Sequence, residues 1–178
     1  MTEIPERPEG LPIGRDGRPT PAYFAWLMAA AVAGDAGAMA NLGVALHQGG
    51  DKAEGIRMLE RALEAGSAAA GFNLGSCRWE ESGQIESAEA PWKRAADLGD
   101  ADAMLGLVRI ALGRDVSAAA AVRRLVASLI ARDEPFILVA LALDIHSAGD
   151  KTTAIRLLER AVELHYAPAS SHLARLRS

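Results

Sequence analysis

Four histidines, one cysteine and a few adjacent acids are the side chains here that could do chemistry, and their spacing argues against it. His47, His146, His165 and His172 are scattered along the chain. A metal site needs several donors that converge, and no carboxylate or thiol lies at ligand spacing from any of them on the same helix. His47 and His146 stand 99 residues apart at equivalent positions of a repeat, which explains them better than catalysis does. Cys77 follows Gly75-Ser76 with no basic helix start to lower its pKa, so its context predicts a small buried hydrophobe. Glu80 and Glu81 are neighbours in sequence and point apart on a helix, giving a solvated face rather than an acid/base pair. Gly71-Phe72-Asn73-Leu74-Gly75 has glycines but neither a preceding strand nor a following Lys-Ser or Lys-Thr, so it is no phosphate loop. No catalytic residue, metal site or cofactor is implied.

The chain that must position these residues has 178 residues and a net charge of −4. At that length one compact unit can bury about 70% of its unfolded surface without disulfides or metals. Half the residues are hydrophobic but only 4% are aromatic, so small aliphatics must make the core, and the abundant alanine favours helix over strand. A single cysteine excludes an internal disulfide and a multi-cysteine zinc site, and suits a reducing compartment. No run of 18 uncharged apolar residues is present, and residues 1 to 8 lack the basic and apolar regions of a secretory signal. The expectation is a cytoplasmic protein without a membrane span. The mildly acidic balance disfavours a phosphate-binding surface.

Laid over itself, the chain shows its organisation. Residues 50–64, GDKAEGIRMLERALE, return as GDKTTAIRLLERAVE at 149–163, an offset of 99. Intermediate copies divide that offset by three: Leu59, Trp92, Leu125 and Leu158 fall at steps of 33, as do Ala62, Ala95, Ser128 and Ala161. Asn41-Leu42-Gly43 recurs as Asn73-Leu74-Gly75, and Gly34-Asp35-Ala36 as Gly99-Asp100-Ala101. A period near 33 marks a repeat array in which each unit buries its apolar face against its neighbours.

Each unit reads as two amphipathic helices around a turn at Gly49-Gly50, Ser82-Gly83, Gly113 or Gly149, where glycine accepts a positive φ. The expected helices are 21–33, then pairs 36–48 with 52–65, 68–81 with 85–98, 101–112 with 116–131, and 135–147 with 151–164, and a last one at 168–177. Pro91 should kink its helix or delay its start to near Ser87. Gly55, Ala88, Ala121 and Ala154, with Ala62, Ala95 and Ala161 seven residues later, form one small-residue face that lets helices approach closely. Leu59, Trp92, Leu125 and Leu158 supply bulk between them. The fold class is all-α.

These residues carry a resemblance. Leu42-Gly43, Gly55, Leu59 and Ala62, and again Leu74-Gly75, Ala88, Trp92 and Ala95, are similar to the tetratricopeptide spacing of Leu-Gly, small residue, bulky residue and Ala. Ala95-Ala96-Asp97-Leu98-Gly99-Asp100-Ala101 resembles the related Sel-one-like repeats, whose units end in Ala-Ala-x-x-Gly before a small-residue helix start. The resemblance covers roughly 21–177. It departs from the tetratricopeptide pattern in the missing terminal proline, in 32 or 33 residues per unit, and in Leu107-Val108 and Leu141-Ala142 where Leu-Gly is expected. It implies a right-handed superhelical α-solenoid of about four full repeats, whose first helices line a concave groove that binds proteins or peptides. Residues 1–20 would be a Pro/Gly-rich tail and 21–178 the repeat domain.

Projected onto this chain, the family's groove positions are Asn41, Val44, His47 and Gln48 in the first full unit and Phe72, Asn73, Ser76 and Trp79 in the second. Asp102, Leu105 and Arg109 follow in the third, and Phe136, Val139, Leu143 and His146 in the fourth. Asn41 and Asn73 match a position where the family often holds a ligand's backbone, which suits an amide's paired donor and acceptor; a semi-exposed helix site also tolerates Asn. Phe72, Trp79 and Phe136 would line one strip of rings, or belong to the core. The family's clamp for a terminal carboxylate is missing, because Ala40, Gly106 and Asp102 stand where cations are needed.

The tail holds Pro5, Pro8, Pro12 and Pro19 among Gly10, Gly14 and Gly17. Either it is solvated, or Leu11-Pro12-Ile13 packs on the lead helix or into the groove as a cap or internal ligand, with Arg15-Asp16-Gly17-Arg18 as a turn. The reading is a non-catalytic adaptor that binds a protein segment, with a homo-oligomer open. An RNA- or DNA-binding array is the alternative, carried only by Arg109 and Arg123-Arg124 against a sequence pI of 5.6. An enzyme with a cleft at the end of the array comes last.

Overall fold

The computed structural model describes residues 6–9, 12–14, 17–114 and 120–178, apart from the side chains of 120 and 121. Leu11, Arg15, Asp16, the side chain of Ala121 and the expected helix start at 116 therefore lie outside the described residues. Ten α-helices and one 3-10 turn are present among those described, with no strand beyond a single isolated bridge. They pack as two compact units, divided between Asp100 and Ala101.

The first unit holds α1 (Pro21–Val32), α2 (Ala36–Gly49), α3 (Lys52–Glu64), α4 (Ala68–Ser82), a 3-10 turn (Ile85–Ala88) and α5 (Glu89–Asp97). Each helix packs on the next, and α2 also touches α4. The helix starts are set by short acceptors: Asp35 Oδ1 takes the Ala38 N–H at 2.6 Å, Ser67 Oγ the Ala70 N–H at 3.2 Å, and Thr20 Oγ1 the Tyr23 N–H at 3.4 Å. Such caps satisfy backbone donors that no helical carbonyl can reach. Pro91 does delay its helix. The chain turns as 3-10 over 85–88, and α5 begins at Glu89, so the proline sits in the first turn, where its missing N–H is not needed.

The second unit holds α6 (Ala101–Gly113), α7 (Ala120–Ala131), α8 (Pro135–Ser147), α9 (Lys151–Glu163) and α10 (Ala167–Arg177), again packed in succession, with α6 also on α8. Gly113 ends α6 inside the helix rather than in a positive-φ turn.

The expected small-residue face is the contact face. Gly55, Ala62, Ala88, Ala95, Ala154 and Ala161 are all buried, with Leu59, Trp92 and Leu158 fully buried between them. Helix α7 breaks the register. Leu125 is half-buried and Ser128 exposed, while Val122 and Leu129 are buried, so the inward face has moved one residue along. A strict period of 33 would bury the polar Ser128 hydroxyl. The shifted face, Val122, Val126 and Leu129, is wholly apolar.

The turns between successive units repeat as well. Gly34, Gly66 and Gly99 take φ values of 96°, 90° and 92°. At the two corresponding turns of the second unit the residues are Asp133 and His165, with φ of 53° and 61°. Asp and His tolerate this left-handed region better than most side chains. His165 is thus a turn residue.

Candidate functional site

The sequence-selected residues of the first unit fall into two groups. Asn41 and Val44 on α2 share a cleft of about 370 Å³ with Asn73 on α4. Gln48, one turn further along α2, lines it too. The amides of Asn41, Asn73 and Gln48 make no side-chain hydrogen bond among the described residues. The second group surrounds Trp92. Its indole Nε1–H donates to the Phe72 carbonyl at 3.0 Å. The Phe72 ring stacks on Trp92 with centroids 6.0 Å apart, and Trp79 meets it edge-on at 6.2 Å. Ser76 Oγ–H donates to the same Phe72 carbonyl at 3.0 Å. Gly75 lets the tryptophan lie against α4, since a Cβ there would collide with the indole. Phe72 is half-buried, whereas Trp79 keeps 39% of its surface exposed. Of the two rings, Trp79 is the one available to a partner.

His47 is not a groove residue. Its side chain is buried, with Nε2 3.4 Å from Glu81 Oε1 in the last turn of α4 and no hydrogen bond of good geometry. α4 covers that face of α2, and a position judged by its own helix cannot reveal this. Cys77, also buried, has its thiol pushed up to about 11 by burial, with Glu80 and Glu81 adding to the effect. At neutral pH it is a protonated, unreactive core side chain.

In the second unit Leu105 and Val139 are buried too, contrary to their expected place on a groove surface. Residues 103–108 are buried without interruption, so α6 is covered on every side there and a side chain as apolar as Leu105 stays inside. On α8 the run Ile137, Leu138 and Val139 is buried in the same way. Asp102, Arg109 and His146 are exposed, Leu143 is half-buried, and Phe136 has 59% of its surface in solvent. Arg109 grips Asp144 with both ends of its guanidinium, at 3.1 and 2.9 Å, so one of the three arginines that could have served nucleic acid is neutralised within the unit. Arg123 and Arg124 are exposed on α7. A cleft of about 570 Å³ is lined by Val108, Leu112, Arg123, Val126 and Ile145, and none of the groove positions projected from the sequence reaches it.

Two contributors to the first-unit cleft escaped a reading based on repeats. One is the lead helix, through Tyr23 and Leu27. The other is the tail, through Pro12, Ile13, Gly17 and Pro19. The arms 12–14 and 17–20 pair antiparallel through an Ile13–Pro19 bridge, with the Gly14 N–H on Arg18 O at 2.7 Å and the Thr20 N–H on Pro12 O at 3.0 Å. Ahead of them the Arg7 guanidinium lies 5.2 Å from the Tyr23 ring centre and 5.8 Å from that of Trp26. The described tail residues are therefore packed on helices of the first unit. The signal for this lay in Pro12-Ile13, read above as one of two options.

Among solved structures the same fold occurs in a Sel1 repeat protein from Oxalobacter formigenes, with a TM-score of 0.63 and 23% identity over 86% of this chain and 68% of that one. It occurs again in a protective antigen present in uropathogenic Escherichia coli strains, which displays an SLR fold, with a TM-score of 0.65 and 22% identity over 87% of this chain. The chain has the Sel1-repeat fold. It is an all-α solenoid fold of helix-turn-helix units, as the resemblance implied. The Escherichia coli antigen is much longer, and the Sel1-repeat fold seen here spans 36% of it. No protein-family model and no curated protein matches the chain. Among the described residues no helix is long and apolar enough to cross a membrane.

Proposed function

We propose that this protein is a non-catalytic interaction module whose first unit binds a segment of another protein along α2 and α4. The observation that carries the reading is the pair of amides, Asn41 and Asn73, brought to one cleft with no hydrogen-bond partner among the described residues. A primary amide offers one acceptor and two donors, the complement of a peptide unit at any sequence. Val44 and Leu27 give the same cleft an apolar floor, and Trp79, further along α4, is an exposed ring of the kind that anchors interfaces. Sel1-repeat proteins of the same fold support the class of function, and repeat arrays lend themselves to extended binding surfaces.

The test is affinity capture followed by mass spectrometry, comparing the natural chain with an Asn41→Ala, Asn73→Ala, Trp79→Ala triple variant and with Arg123→Ala, Arg124→Ala. Each variant is first shown to melt near the natural chain. Proteins captured by the natural chain and the arginine variant but lost from the triple variant support the reading. Capture abolished by the arginine pair alone, or a nuclease-sensitive absorbance at 260 nm, would replace it with nucleic-acid binding.

A further inference from the structure

The tail's arms could relate to the cleft in two ways, as a plug that fills it or as a wall that completes it. Filling would bring tail groups into contact with the amides and close the space. Instead about 370 Å³ remains between Pro12, Ile13 and Pro19 on one side and α1, α2 and α4 on the other, and Asn41, Asn73 and Gln48 bond to none of the described tail residues. The arms are held by their own ladder and, through Arg7, by rings on α1, so they stand without leaning on the amides.

The lining has a chemical signature. None of its described residues is ionisable at neutral pH: prolines, glycine, Ile, Leu, Val, Ala, one Tyr and three primary amides. A charged occupant would lose water there without gaining a countercharge. The ladder adds a direction. Bonds at 12 with 20 and at 14 with 18 leave the N–H and C=O of Ile13 on the outer edge of the arm, unpaired among the described residues. An extended peptide is the occupant that uses a strand edge and main-chain-reading amides together.

Building on the binding reading above, we infer that the N-terminal arms are a wall of the site, and that the partner is an uncharged, extended peptide segment held between Ile13 and the amides of Asn41 and Asn73.

A phage-displayed library of random eight-residue peptides, panned on the immobilised full chain, tests this. Selected peptides are then synthesised with a fluorescent label and titrated by anisotropy. The expected peptides carry no acidic or basic residue and alternate apolar positions. Deleting residues 1–18, or Ile13→Asp in the otherwise intact chain, should weaken them about tenfold or more, the scale of one lost anchor. Ile13 is 45% exposed, so Ile13→Asp should melt with the natural chain and decides the matter even if the deletion unfolds. Binding that is unchanged or tighter in both tail variants, or a consensus built on a charge, overturns the wall. If Asn41→Ala with Asn73→Ala weakens the peptides while the tail variants do not, only this inference falls. If no peptide is selected, or the amide variants bind normally, the underlying binding reading falls with it.

Discussion

Helix α3 carries many of the same residues as α9, 99 positions later, and the pairs α2 with α3 and α8 with α9 solve one packing problem differently. Both place a leucine, Leu59 or Leu158, and an alanine, Ala62 or Ala161, fully inside. Both start the second helix on an aspartate, Asp51 or Asp150, that takes the N–H three residues on. At the crossing point they part. In the first pair Gly43 faces Gly55, and a Cβ on Gly55 would lie 2.6 Å from the Gly43 carbonyl oxygen and 2.7 Å from the His47 nitrogen. In the second pair the same positions are Ala142 and Ala154, both fully buried with their methyls in place. The glycine pair lets two backbones touch; the alanine pair packs through side chains. The turn that follows differs as well, with Gly66 in one and His165 in the other. A repeat is thus a register that tolerates two spacings, and the small residue at the crossing selects between them.

The largest test of that equivalence is Leu59→Ala against Leu158→Ala. Each should cost about 2–5 kcal/mol in thermal or chemical unfolding, because each empties a fully enclosed site. A Leu158→Ala variant that melts with the natural chain would break the comparison. Next comes Gly55→Ala. On an ordinary helix the change gains about 1 kcal/mol. Here overpacking at about 1–3 kcal/mol opposes it, so the variant should be destabilised by up to about 2 kcal/mol. A gain in stability would show that the backbones do not touch. Third, His165→Gly should stabilise by about 1 kcal/mol, by relieving a left-handed conformation that costs any residue with a Cβ.

The smallest effect is in acid. The Asp150 carboxyl lies below its usual range, first through its hydrogen bonds with Thr153, side chain and then backbone, with the Thr152 N–H and the charge of Arg156 contributing less. A depressed carboxyl lends stability above its unfolded value of about 3.9, and that stability disappears as pH falls through the lower native value. Asp150→Ala should therefore lower the melting temperature at neutral pH. The gap to the natural chain should close below about pH 4. A gap that persists would mean that the side chain acts through something other than its charge.

Much of the fold was legible before any coordinates. The helix boundaries fell within a residue or two nearly throughout, because caps such as Asp35 and Ser67 and turn glycines such as Gly50 and Gly149 act on their own neighbours in sequence. The candidate site was half legible. Repetition singled out Asn41 and Asn73, which line the first-unit cleft, and rarity singled out Trp79, which is exposed. His47, Leu105 and Val139 were misplaced, because helical position says which face a residue is on and not what covers that face. His47 and His146 make the point directly. They are equivalent by sequence, yet one is buried under the last turn of α4 and the other is exposed.

The sequence by itself determined the period, the helix-turn-helix unit, the caps and the small-residue contact face, since each depends on residues no more than a turn or a repeat apart. Only the tertiary structure decided that α7 presents Val122 and Leu129 rather than Leu125 and Ser128, that α4 closes over His47, and that the tail forms one side of the cleft at Asn41 and Asn73. Those outcomes turn on burial, and burial is a property of the surfaces that meet, summed over elements far apart in the chain.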